Sequence, residues 1–96
     1  MVPLPSNWFV YLLECRDGTY YCGITNDLSK RLKAHWAGKG AKYTKARRPF
    51  RLVGSVKVPD KVAAAKLEYS IKQLPRFEKR RFFEARGPAQ TEAFIT

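Results

Sequence analysis

Near the start of the chain, apolar and aromatic residues come in two dense runs. Residues 8–15, Trp-Phe-Val-Tyr-Leu-Leu-Glu-Cys, and residues 19–24, Thr-Tyr-Tyr-Cys-Gly-Ile, are short and rich in aromatic and β-branched side chains, which predicts two strands. Asp17-Gly18 supplies the turn of a hairpin. The period then changes. Thr25, Asn26 and Asp27 offer cap oxygens, Leu28 and Leu32 start a helical stripe that Trp36 extends, and Gly38 and Gly40 end it. Residues 37–49 hold no steady period and read as an exposed basic loop. Residues 50–58 give a third strand. Pro59-Asp60 opens a second helix with Ala64, Leu67, Ile71 and Leu74 at helical spacing, and Pro75 stops or bends it. A third, short helix carries Phe77 and the Phe82-Phe83 pair, with Gly87 at its end. The order β-β-α-β-α-α predicts an α+β fold with a small three-stranded antiparallel sheet and about three helices. It occupies residues 8–86, between a Pro-containing lead (1–7) and a tail (87–96).

Charge adds what the pattern cannot. Nineteen Lys and Arg stand against eight Asp and Glu, a net charge of +11. Between Asp27 and Asp60 there is no acid, yet ten of the nineteen basic residues lie there. Such a one-sign block suits a phosphate backbone. Within it Lys39, Lys42, Lys45, Arg47 and Arg48 form a candidate phosphate track, and Tyr43 a candidate stacking platform for a base. A solvated, solubilising surface would read the same way. One histidine and two cysteines leave no Cys/His zinc set, and Cys15 and Cys22 read as buried free thiols. No stretch approaches the length of a membrane span, and Met1-Val2-Pro3-Leu4-Pro5 lacks the basic and apolar regions of a signal peptide. A cytoplasmic, intracellular setting is the expectation.

The chemistry lies in an ordered set. Tyr11 and Tyr21 stand ten residues apart on the two arms of the hairpin, Arg31 follows Tyr21 by ten, His35 is one helical turn beyond, and Glu68 lies on the second helix. The tyrosines cooperate only if they share a sheet face. A two-residue Asp17-Gly18 loop would pair Tyr21 with Glu14 and part them. A three-residue loop, Arg16-Asp17-Gly18 with Gly18 left-handed, pairs Tyr21 with Leu13 and Tyr11 with Gly23, and is the expectation.

This set resembles the GIY-YIG nuclease superfamily, whose two name motifs correspond to Phe9-Val10-Tyr11 and Tyr21-Cys22-Gly23. The resemblance runs from about Trp8 to Phe83. Gly23-Ile24-Thr25-Asn26-Asp27, the Arg31/His35 pair and Gly38-Lys39-Gly40-Ala41-Lys42-Tyr43-Thr44 are similar to the small stand-alone bacterial YhbQ-like (UPF-type) branch. The resemblance implies a DNA endonuclease that uses Mg²⁺ or Mn²⁺, with Glu68 as metal ligand, Arg31 at the phosphate, and Tyr11, or Tyr11 and Tyr21 together, as proton acceptor. His35 then hydrogen-bonds a tyrosine or the phosphate. Gly23 is glycine so that Tyr11 or a phosphate can approach. No recognition helix or zinc finger is visible, so structure-selective or weakly selective binding is expected, with single-stranded, flapped or branched DNA as candidate substrates and a protein partner as a candidate guide. A catalytically silent module that binds nucleic acid, and a small RNA- or ribosome-associated protein, are the competing readings.

Overall fold

The structure, a computed structural model, describes residues 7–86. Residues 1–6 of the expected lead, the expected tail and Gly87 lie outside that range. The elements are β1 (Trp8–Cys15), β2 (Tyr20–Thr25), α1 (Leu28–Trp36), α2 (Lys42–Lys45), β3 (Phe50–Val58), α3 (Lys61–Lys72) and α4 (Arg76–Arg86). The sheet is antiparallel throughout, in the order β2-β1-β3.

Strand β1 is central and covered on both faces, which is why its apolar run does not alternate with polar residues. Val10 and Leu12 face a core completed by Cys22 of β2, Val53 of β3, Ala64 and Ile71 of α3, and Phe83 of α4. Tyr11 and Leu13 face the other core, with Leu28 and Leu32 of α1 and Phe50 and Leu52 of β3. The β1–β3 register shifts between Leu12 and Leu13, leaving Val53 as an extra residue between Leu52 and Gly54. Two consecutive residues then address the α4 side. Phe83 presses against Gly54, where an added Cβ would lie 3.1 Å from the Phe83 Cβ.

The hairpin has the expected three-residue loop. Gly18 sits at φ +82° and its N–H donates to the Cys15 carbonyl at 2.9 Å. Tyr11 pairs with Gly23, and Leu13 with Tyr21. Asp27 caps α1 by accepting from the Lys30 N–H at 3.0 Å. Gly38, at φ +78°, closes that helix: its N–H donates to the His35 carbonyl, and the Lys39 N–H donates to the Ala34 carbonyl. Asp60 caps α3 through the Ala63 N–H at 2.8 Å. Cys15 and Cys22 are buried and free.

One expectation needs correction. The segment read as a featureless basic loop contains the one-turn helix α2, too short to show a period and anchored inward by buried Thr44 alone. On α4, Phe83 is buried, while Phe77 sits on another side of the helix and is 69% exposed.

Candidate active site

Four of the five candidate catalytic residues gather on one face of the sheet. The hairpin register brings Tyr11 and Tyr21 side by side, with ring centroids 6.4 Å apart. Helix α1 lies over them and points Arg31 and His35, one turn apart, at both rings. The His35 ring meets Tyr11 and Tyr21 edge-on, at 5.8 Å and 5.5 Å. Tyr11 Oη and His35 Nε2 are 2.8 Å apart, and His35 Nδ1 lies 2.8 Å from Thr44 Oγ1. Tyr11, His35 and Thr44 are each 0% exposed, while Tyr21 and Arg31 are half-buried. A groove lined by Thr25, Asn26, Asp27, Lys30 and Arg31 opens beside the guanidinium.

Burial governs the protonation states. It pushes the Tyr11 phenol up to about 12, against the lowering pull of the Arg31 guanidinium. The two tyrosine hydroxyls in turn hold Arg31 further in its charged form. Burial first, and Arg31 second, bring His35 down to about 4, so the imidazole is neutral at neutral pH.

Two glycines make room for this packing. At Gly23 a Cβ would lie 2.5 Å from Tyr11 Oη, so Tyr11 leans across the edge strand β2 through the space a side chain would fill. At Gly40 a Cβ would overlap the His35 ring. Gly40 and Thr44 were not singled out as site residues from the sequence. Their signal was the Gly-Lys-Gly-Ala-Lys-Tyr-Thr run, which draws notice for its charge and hides its one buried hydroxyl.

Glu68 stands apart from this cluster. Helix α3 packs on the opposite sheet face, and the Glu68 carboxylate pairs with Lys72 at 3.4 Å and lies near the Cys22 thiol. Among the described residues no hydrogen bond or ion pair joins it to Tyr11, Tyr21, Arg31 or His35. Tyr11, leaning over Gly23, and Glu68, beside Cys22, nevertheless approach neighbouring positions of the same edge strand from opposite sides.

The basic segment divides in two. Arg47 stacks on Tyr43 at 3.9 Å, pairs with Asp17 at 3.0 Å and donates to the Tyr43 carbonyl. Arg48 donates to the Lys45 and Trp36 carbonyls, tying the segment to the end of α1. Lys39, Lys42 and Lys45 are exposed, and no hydrogen bond or ion pair engages their ammonium groups among the described residues. Tyr43, itself 37% exposed, carries the Arg47 guanidinium over its ring and stacks with Tyr21 at 6.0 Å.

The sheet and its cluster of two tyrosines, an arginine and a histidine sit within a stretch of sequence that matches the GIY-YIG catalytic domain. That domain's sequence profile matches residues 7–81, and the chain belongs to this family of nucleases. It is 44% identical over 89 residues to a UPF0213 protein of Xanthomonas campestris pv. campestris, covering 93% of this chain and 87% of the relative. Identity to a UPF0213 protein of Halalkalibacterium halodurans is 47% over 81 residues, covering 84% and 86%. The solution NMR structure of a UPF0213 protein from Bacillus halodurans matches the fold with a TM-score of 0.56 at 44% identity, covering 91% of this chain and 93% of that one. No described helix is long and apolar enough to cross a membrane.

Proposed function

We propose that this protein is a divalent-metal-dependent endonuclease that hydrolyses DNA phosphodiester bonds in the cytoplasm. The observation that carries the reading is the buried Tyr11–His35 contact, 2.8 Å from Oη to Nε2, beside a half-exposed arginine. Hydrolysis needs a water relieved of its proton and a phosphate relieved of its developing charge. A phenol of raised pKa is a poor base alone. Joined to a neutral imidazole, its Oη can orient the water and relay its proton, which His35 Nε2 holds only in passing because burial and Arg31 oppose the charged ring. The water oxygen then bonds to phosphorus, the P–O bond to the leaving strand breaks, and solvent protonates the departing oxygen. Arg31 faces the phosphate and neutralises the charge that builds there. Tyr21, nearer the surface than Tyr11, orients the phosphate.

Among the described residues no three His, Cys, Asp or Glu side chains cluster to cage a metal. The lone carboxylate of Glu68 fits Mg²⁺ or Mn²⁺ that keeps most of its waters, once Lys72 is displaced. Bound there, the ion would supply an acidified water and positive charge at the leaving oxygen. Lys39, Lys42 and Lys45 suit a backbone track without sequence readout, which favours single-stranded, flapped or branched DNA and a protein partner for targeting. The Glu68–Lys72 ion pair favours a second reading, a silent module that binds nucleic acid and leaves the metal ligand closed.

Labelled single-stranded, duplex, flap and branched DNA, incubated with Mg²⁺, with Mn²⁺ and with chelator, separates the two. Metal-dependent cutting that falls by a factor of about 10²–10⁴ in Tyr11→Phe, and is abolished in Glu68→Ala, is expected. Salt-dependent binding without cutting of any substrate would select the silent module.

A further inference from the structure

We infer that Thr44 is a positioning residue that fixes the tautomer of His35, with the proton on Nδ1 and Nε2 bare, and so dictates that the Tyr11 proton points into the imidazole. The inference deepens the nuclease reading, on which its kinetic consequence rests. The tautomer itself follows from donors and acceptors alone.

A neutral imidazole carries one N–H, and the partners at each end decide where. At the Nδ1 end, Thr44 Oγ1 lies 2.8 Å from the ring and 2.9 Å from the Ala41 carbonyl oxygen. Two oxygens 2.9 Å apart need a hydrogen between them, and a carbonyl has none to give. The single hydroxyl proton of Thr44 is therefore spent on Ala41, and toward His35 Thr44 can only accept. Nδ1 must donate. The other end agrees independently. Tyr11 Oη lies 2.8 Å from Nε2 and beside the Arg31 guanidinium, which has donors and no acceptor. A cation beside Tyr11 Oη disfavours a proton pointed at it, so the Tyr11 proton turns to a bare Nε2.

The result is one directed chain: Tyr11 O–H to Nε2, Nδ1–H to Thr44 Oγ1, and Thr44 O–H to the Ala41 carbonyl. The Arg31 cation stands near one end and an acceptor-only carbonyl closes the other, so each bond polarises the next in the same sense. Tyr11, His35 and Thr44 are each 0% exposed, which shields the bonds between them from competition by bulk solvent. The short helix α2 thereby gains a purpose: it presents the Thr44 hydroxyl to a ring that α1 delivers and that Gly40 lets it approach. Without that acceptor the proton is free to move to Nε2. Tyr11 would then turn its own proton away and lose its route for passing on the water's.

The chain has one histidine, so ¹⁵N NMR reports this ring without ambiguity. At neutral pH the wild type should show a protonated-type Nδ1 and a bare-type Nε2. Thr44→Ser should keep that pattern. Thr44→Val, of the same shape without the hydroxyl, should shift the ring toward the Nε2–H form and lower kcat about 10–100-fold with KM nearly unchanged, the size expected for a supporting hydrogen bond. A wild-type ring protonated on Nε2, or a folded Thr44→Val that keeps the Nδ1–H pattern, overturns the inference. So does a Thr44→Val whose tautomer changes while kcat does not. The expected tautomers in all three proteins, with no cutting even by wild type, would uphold Thr44's control of the ring and refute the nuclease reading instead.

Discussion

Lowering the pH should destabilise this protein through one residue before most of its carboxylates titrate. His35 is the only histidine, is 0% exposed, and falls from 6.5 to about 4 on folding because burial and Arg31 oppose its charged form. Between those values the unfolded chain binds a proton that the folded chain refuses, so stability rises with pH across the window. It is fully present above pH 6.5 and is lost as pH falls toward 4. The whole shift corresponds to roughly 3 kcal/mol, of which about 2 kcal/mol is lost between pH 7 and pH 5. For a domain this small that is a large share of the total. Urea denaturation of wild type and His35→Gln at pH 7 and pH 5 isolates the effect, because losses common to both proteins cancel in the comparison. Glutamine keeps a polar group for Tyr11 and Thr44 and does not titrate. The wild type should lose about 2 kcal/mol more than the variant, and its imidazole should titrate near 4 by NMR. Equal losses in the two proteins, or a folded-state imidazole titrating at its ordinary value, would refute the reasoning.

Three further outcomes follow from the same packing. Tyr11→Phe strands His35 Nε2 in the core and should cost about 1–3 kcal/mol in urea unfolding, beside its effect on cutting. Gly23→Ala drives a methyl against Tyr11 Oη, so it should destabilise by about 1–3 kcal/mol and shift the His35 resonances; a neutral substitution would mean that Tyr11 does not lean over Gly23. Replacing Lys39, Lys42 and Lys45 together with Ala should flatten the salt dependence of single-stranded DNA binding by about 2 in the log–log slope and leave thermal unfolding unchanged, whereas Arg48→Ala should lower thermal stability first.

The hairpin and its register were legible because two demands coincided. The two tyrosines had to share a face, and only a three-residue loop with a left-handed Gly18 allows that. The ends of α1 and α3 were legible because Asp27 and Asp60 are caps and their apolar spacing is regular. Helix α2 was not, since four residues give no period and Thr44 looks like any surface threonine until His35 is placed over it. Arg47 and Arg48 read as phosphate contacts from their charge. The structure engages both with backbone carbonyls, and Arg47 with Asp17 as well, a use that charge counting cannot see. For Glu68 the sequence locates the helix but not the sheet face on which α3 packs, which depends on the crossover from β3.

The division between free lysines and engaged arginines bears on how a base could reach the site. Tyr43 lies between the Tyr21 ring and the Arg47 guanidinium, so stacking a base on it requires one cover to leave. Tyr21 is wedged against His35 and Tyr11, whereas Arg47 is held from outside by an exposed pair with Asp17, a hydrogen bond to the Tyr43 carbonyl and the Tyr43 ring itself, and the ion pair is the weakest kind of ionic contact. A phosphate arriving along Lys39, Lys42 and Lys45 can compete for that guanidinium. As Arg47 swings to it, the outer face of Tyr43 is uncovered for the adjoining base. Asp17→Asn retains an acceptor for Thr19 while removing the competing charge. It should tighten single-stranded DNA binding several-fold and steepen the salt slope by about 0.7, the increment for one added phosphate contact. Tyr43→Leu in the same background should abolish the gain from stacking but keep the steeper slope. If Asp17→Asn changes neither affinity nor slope, Arg47 remains on Tyr43 when DNA binds, and the base must be held elsewhere.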